Sequence, residues 1–182
     1  MTSGEMPWGS GRQNLRRLAS VAAERAARRE AAPPWHVVEG RHAARNGGER
    51  LLGAIHARDE ILELAEMLDA PAVAFRSGRG IVSNAHELGL TMAAAYRLWP
   101  TTDVMIGIGT RLELPTMSRW PYRPDGLKSV RIDIDPVEMR RYVPDMAVIA
   151  DAKAGTADLA AAVQKAGYSK TSGRRAEIRE AT

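Results

Sequence analysis

From Asp59 onward, apolar residues recur at two spacings that cut the chain into alternating elements. Ile61, Leu64, Ala65 and Leu68 follow the i, i+3, i+4, i+7 pattern and predict a helix over Asp59–Leu68. Asp59 and Glu60 lie in its first turn, where the helix dipole favours acids. Ala70-Pro71 breaks the chain, Ala72–Phe75 reads as a strand, and Ser77-Gly78-Arg79-Gly80 as a tight turn. Leu88–Trp99 reads as a helix with Leu90, Ala94 and Leu98 on one face. Val104, Met105, Ile106 and Ile108 form an apolar run too short for a helix, hence a strand from Asp103, and Gly107 and Gly109 open its carboxyl end into a turn. After a loop over Glu113–Gly126, Val130, Ile132 and Ile134 alternate with polar residues, as in a strand from Ser129 with one wetter face. Asp135 begins a short helix, Ala147–Ala150 is another strand, and Lys153–Ala166 is a helix capped by Gly167.

The amino-terminal third is less regular. Residues 1–12 are expected to be disordered. Residues 13–58 combine a predicted helix over Gln13–Ala31, stopped by Pro33-Pro34, a short strand at Trp35-His36-Val37-Val38, and a Gly/Arg-rich loop over Glu39–Gly53. Residues 59–168 form the predicted domain, and residues 169–182 a charged, loose tail. Strands alternating with helices predict an α/β fold: a doubly wound, mostly parallel sheet with right-handed crossovers and helices on both faces.

Charge changes the picture less than its total suggests. The chain of 182 residues has a pI near 9.8. Residues 1–50 hold nine Arg against five acids, whereas residues 51–182 hold 17 basic and 17 acidic residues. The excess therefore belongs to the Arg/Ala-rich amino-terminal segment, which lacks the interleaved aromatics of a nucleic-acid arm. There are no cysteines, which removes disulfides, thiolate metal sites and Cys nucleophiles and fits a reducing, cytoplasmic setting. No apolar run reaches the roughly 18 residues of a membrane span. Neither nucleic acid nor membrane is expected as a partner.

Candidate chemistry gathers at strand ends, because ligands of open parallel sheets lie beyond the carboxyl ends of the strands. Arg111, two residues after Gly109, carries a planar fork suited to phosphate. Asp133 suits a ribose hydroxyl. Asp135 in Asp135-Pro136-Val137-Glu138 matches a capping box, with Glu138 reaching back. Asp151 is placed to cap the following helix, with a nucleotide contact as its second use. The four His lack metal-ligand spacing. No Gly-x-x-x-x-Gly-Lys-Ser/Thr loop, no complete Gly-x-Gly-x-x-Gly and no nucleophile elbow is found.

Six pieces in order resemble the central domain of thiamine-diphosphate-dependent enzymes, the group that includes acetolactate synthase, benzaldehyde lyase and pyruvate oxidase. These are Leu64–Val73, Ser77-Gly78-Arg79-Gly80, His86-Glu87-Leu88-Gly89-Leu90, Ile106–Leu112, Val130–Glu138 and Ala150-Asp151-Ala152-Lys153. Glu87 stands where the family has proline. The resemblance implies about six parallel strands, and a domain that binds FAD or ADP in some members and serves as scaffold in others. The positions matching nucleotide contacts are Gly109, Thr110, Arg111, Asp133, Asp135, Asp151 and Ala152. It also implies that thiamine diphosphate and magnesium belong to the complete enzyme, held by pyrimidine- and diphosphate-binding domains or subunits whose motifs are not found in this sequence. The expectation is a fragment or split subunit, catalytically silent alone and capable of homo-oligomerising; the alternative is a stand-alone nucleotide-binding or regulatory module.

Overall fold

A computed structural model describes residues 35–39, 56–74, 78, 80–110, 112, 123–167 and 174–182. The helix expected over Gln13–Ala31, most of the two loops, and Phe75, Ser77, Arg79 and Arg111 lie outside the described residues. Within them, six parallel strands form one sheet: β1 (Trp35–Glu39), β2 (Ala72–Ala74), β3 (Gly89–Leu90), β4 (Val104–Ile108), β5 (Lys128–Asp133) and β6 (Met146–Ile149). Their order is β3-β2-β1-β4-β5-β6. Val37 of β1 lies opposite Ala72 on one side and Ile106 on the other. The helices are α1 (Arg58–Leu68), α2 (Met92–Leu98), α3 (Ala152–Lys165) and α4 (Arg174–Ala181), with single 3-10 turns at Trp99–Thr101 and Glu138–Arg140. The α/β class and the parallel pairing follow the sequence pattern.

Helix α1 forms where its periodicity demands, and Ile61, Leu64, Ala65 and Leu68 are its buried residues. It ends at Asp69, whose φ of +52° turns the chain so that its amide meets the carbonyl of Glu66. Helix α3 packs along α1 and against the sheet. A Cβ added at Gly155 would lie 2.6 Å from Ile132 Cγ2, so the approach of α3 to β5 depends on a missing side chain.

Three expectations change. The helix read over Leu88–Trp99 is shorter: Gly89 and Leu90 pair with Ala72 and Val73 as strand β3, and α2 starts after Thr91, whose Oγ1 accepts the Ala94 amide at 3.2 Å. Leu90 is buried in the strand, and an apolar residue fits a buried helix face equally well, so its character did not decide between them. A Cβ at Gly89 would overlap the carbonyl oxygen of Ser83, so the chain turns there on a glycine packed against backbone.

The wetter face expected for β5 is absent. Ser129, Arg131 and Asp133 are as buried as Val130 and Ile132, while Ile134, just past the strand, is 52% exposed. The cause is position: β5 lies between β4 and β6, and an inner strand of a parallel sheet is covered on both faces. Ile132 meets α3, and its neighbour Arg131 reaches the backbone of Glu138 and Tyr142 from the other face.

The charged carboxyl-terminal stretch, expected to be loose, contains α4. Ile178 is fully buried, and Arg175 Nε donates to Asp69 Oδ1 at 2.7 Å while its Nη1 donates to the Glu87 carboxylate.

Candidate functional site

The strand order reverses between β1 and β4, the place where a parallel α/β sheet opens a crevice at its carboxyl edge. The described candidate residues lie along that edge at the ends of three adjacent strands. Ile108 is in register with Ile132, and Asp133 with Ile149. Gly109 and Thr110 therefore leave β4 beside Asp133 and Asp135 leaving β5, which lie beside Asp151 and Ala152 leaving β6.

The β4 tip folds back on its own strand. Gly109 has a φ of +56°, and its N–H donates to the Ile132 carbonyl at 2.8 Å. Thr110 Oγ1 accepts the Leu112 amide at 3.2 Å. Leu112 adopts a φ of +52°, rare for a leucine, and is buried. A Cβ at Gly107 would lie 3.0 Å from both Leu112 Cδ2 and Thr110 Cγ2, so the returning turn uses the space that glycine leaves.

Arg131 holds this turn in place. Its side chain is fully buried. Nη2 donates to the Thr110 carbonyl at 2.8 Å, and Nη1 donates to the carbonyls of Glu138 at 2.8 Å and Tyr142 at 3.3 Å. Asp133 Oδ2 lies 3.6 Å from Nη2. Burial holds the guanidinium below its ordinary pKa, and the charges of Asp133 and Glu138 offset only part of that. Nothing in the sequence reading pointed to Arg131. The available signal was its place in the alternation Ser129, Arg131, Asp133: polar residues on an inner strand must be paired rather than solvated.

The carboxylates serve the turns. Asp133 Oδ1 accepts the Asp135 amide at 3.0 Å, and Asp135 Oδ1 accepts the Val137 amide at 2.8 Å. Asp135 thus forms an Asx turn rather than capping a helix, and the 3-10 turn that follows has no side-chain cap. The Glu138 carboxylate takes Arg141 Nε at 3.0 Å. Asp151 caps α3 as expected, its Oδ1 accepting the amides of Lys153 at 2.9 Å and Ala154 at 3.3 Å. Asp133 is buried, Asp135 half-buried and Asp151 exposed. Arg111 lies outside the described residues. Among the described residues, no group of three or more His, Asp or Glu could hold a metal ion, and no helix is long and apolar enough to cross a membrane.

At the opposite, amino edge of the sheet, Asp145 ties β6 to β5. Its Oδ2 accepts both the amide and the hydroxyl of Ser129 at 2.9 Å, and Lys128 Nζ lies 3.2 Å from Oδ1. Burial raises the Asp145 pKa, but the Ser129 and Lys128 bonds outweigh it and hold the carboxyl below its ordinary range.

A family model described as "Thiamine pyrophosphate enzyme, central domain" matches residues 48–159, more than half of the chain. The chain belongs to this family. Among curated proteins it is similar to a probable acetolactate synthase large subunit of Methanococcus aeolicus, 32% identical over 114 residues. Its counterpart in Methanocaldococcus jannaschii is 34% identical over 115 residues, and a glyoxylate carboligase of Escherichia coli O157:H7 is 31% identical over 116. These alignments cover 58–59% of this chain but only 18–20% of each relative. The chain thus spans about a fifth of the length of these relatives. The match covers the elements that build the strand-tip site, β2 to β6, and begins after β1.

Proposed function

We propose that this chain acts as the central domain of a thiamine pyrophosphate enzyme of the acetolactate synthase-like group, and that it holds an ADP-containing nucleotide, ADP or FAD, at the carboxyl edge of β4, β5 and β6. In this reading the body is doubly wound, with α3 on the Ile132 face of β5 and the segment after Asp135 on the Arg131 face. The thiamine pyrophosphate and magnesium of the complete enzyme are held by pyrimidine- and diphosphate-binding domains or subunits, and the domain described here supplies structure and nucleotide binding rather than carbanion chemistry. The setting is cytoplasmic, consistent with a cysteine-free chain.

The observation that carries the nucleotide part is the convergence of the family-matched positions on one crevice edge, beside the reversal of strand order. Their bonding divides the roles. Gly109 and Asp133 are used by the turns and frame the site. Asp135 and Asp151 each use Oδ1 for a backbone amide, and among the described residues Oδ2 of each makes no hydrogen bond, leaving it for ribose hydroxyls. Thr110 at the β4 tip, Arg111 next to it in sequence and Ala152 in the first turn of α3 are assigned to the phosphate side.

The test is melting of the purified chain with ADP or FAD, together with its absorbance for a retained flavin. A ligand at a hundred times its Kd stabilises by about 2.7 kcal/mol. A rise in Tm with either nucleotide supports the assignment. A flat response to both, with no co-purifying flavin, reduces the domain to scaffold.

A further inference from the structure

We propose that Arg131 is a positioning residue: its guanidinium locks the β4-tip turn to the segment after Asp135, so that the β4 and β5 portions of the strand-tip edge form one rigid unit. Its role toward a ligand rests on the nucleotide reading above; its role in locking the edge does not.

Arg131 sits on an inner strand of the sheet with its side chain fully buried. An apolar side chain of similar volume would fill this face of β5 without the cost of desolvating a charge, and such replacements are often neutral or stabilising. Core packing alone therefore does not call for a guanidinium at position 131. Its acceptors do. They are backbone carbonyls rather than a single carboxylate partner, and they come from two loops: Thr110 after β4, and Glu138 and Tyr142 after β5. A planar fork can serve both loops at once, whereas a lysine ammonium is a point donor. Asp133, one turn of the alternation away, compensates the charge at 3.6 Å and uses its other oxygen to hold the Asp135 amide. The same group that neutralises Arg131 thereby shapes the turn carrying Asp135. Removing the fork leaves the Thr110, Glu138 and Tyr142 carbonyls without this donor, and the loosening should begin at the crevice edge.

The experiment compares the full chain with Arg131→Met and Arg131→Lys, using amide hydrogen exchange well below the melting temperature and titration with ADP as the probe. The reporter amides are those of Leu112, Asp135, Glu138 and Arg141, which close the edge turns, with Leu64 in α1 and Leu159 in α3 as references. In Arg131→Met the reporters should exchange about tenfold faster or more, matching the loss of hydrogen bonds to a charged donor, while the references stay near wild type. Arg131→Lys should recover part of the difference. ADP affinity should fall in the same order. Reporters and references that accelerate together would overturn the proposal and make Arg131 a packing residue, as would unchanged reporters or failure of both variants to fold. If the wild-type chain does not bind ADP, the nucleotide reading fails and the exchange pattern alone decides the role of Arg131.

Discussion

Gly155 of α3 lies so close to Ile132 of β5 that a methyl group on it would stand 2.6 Å from the isoleucine Cγ2. Ala150 Cβ would lie 3.3 Å and Val148 Cγ1 3.6 Å from it, so the added methyl meets neighbours from β5, from β6 and from the segment just after β6. Gly155→Ala gains about 1 kcal/mol of helix propensity but loses about 1–3 kcal/mol to overpacking. The expected net effect is a loss of about 1 kcal/mol, and more for Gly155→Val. Urea midpoints of the two variants check it; a Gly155→Ala variant more stable than wild type would show that α3 can lift.

Asp151 separates two roles by chemistry. Asp151→Ala removes the acceptor for the Lys153 and Ala154 amides and should cost about 0.5–2 kcal/mol. Asp151→Asn keeps a good cap, so its stability should stay close to wild type. Nucleotide affinity that falls in Asp151→Asn at unchanged stability assigns Oδ2 to the ligand; affinity that follows stability leaves Asp151 as a cap.

Asp145 predicts a pH dependence. Its folded-state pKa lies below the ordinary 3.8, so its contribution to stability is present in full above that value and is lost as pH falls through the folded value. Melting curves from neutral pH down to about pH 2 should show wild type losing stability below pH 4 more steeply than Asp145→Asn. Parallel acid limbs in the two proteins would remove Asp145 from the account.

Helix α4 is held by Arg175, whose guanidinium pKa is raised by its hydrogen bonds to Asp69 and Glu87, and by the buried Ile178. Arg175→Gln should release α4 locally, with faster exchange at the Ile178 amide and little change in α1. Salt should produce the same trend in wild type, because Arg175 and Glu87 are partly exposed. Ile178→Ala should cost more, about 2–4 kcal/mol, as a buried large-to-small change does.

The elements with strong local signals were legible in the sequence. The face of α1, the cap at Asp151 and the apolar run of β4 each follow from residues within one element. The extents of α2 and β3 were not, because Leu90 is apolar in either conformation and only its pairing with Val73, far away in sequence, selects a strand. Arg131 and Asp133 were harder. Alternation reports that one face of a strand is polar, but whether water or a guanidinium meets that face depends on neighbours that β5 acquires only in the folded sheet. α4 was missed for a similar reason: one isoleucine among charges makes no periodic pattern, and its burial depends on Arg175 meeting Asp69 across 106 residues.

Strand β1, expected from Trp35-His36-Val37-Val38, holds a central place in the sheet. It lies between β2 and β4, so among the described residues it joins the β3-β2 half of the sheet to the β4-β5-β6 half. The segment shared with the family model starts at residue 48 and leaves this strand out. A polypeptide trimmed only at its amino end, to residues 48–182, would retain every residue of the strand-tip edge and yet consist of two sheet pieces with exposed, unsatisfied margins where the keystone had been. Such a product is expected to aggregate, and adding back a peptide spanning Trp35–Glu39 should restore solubility.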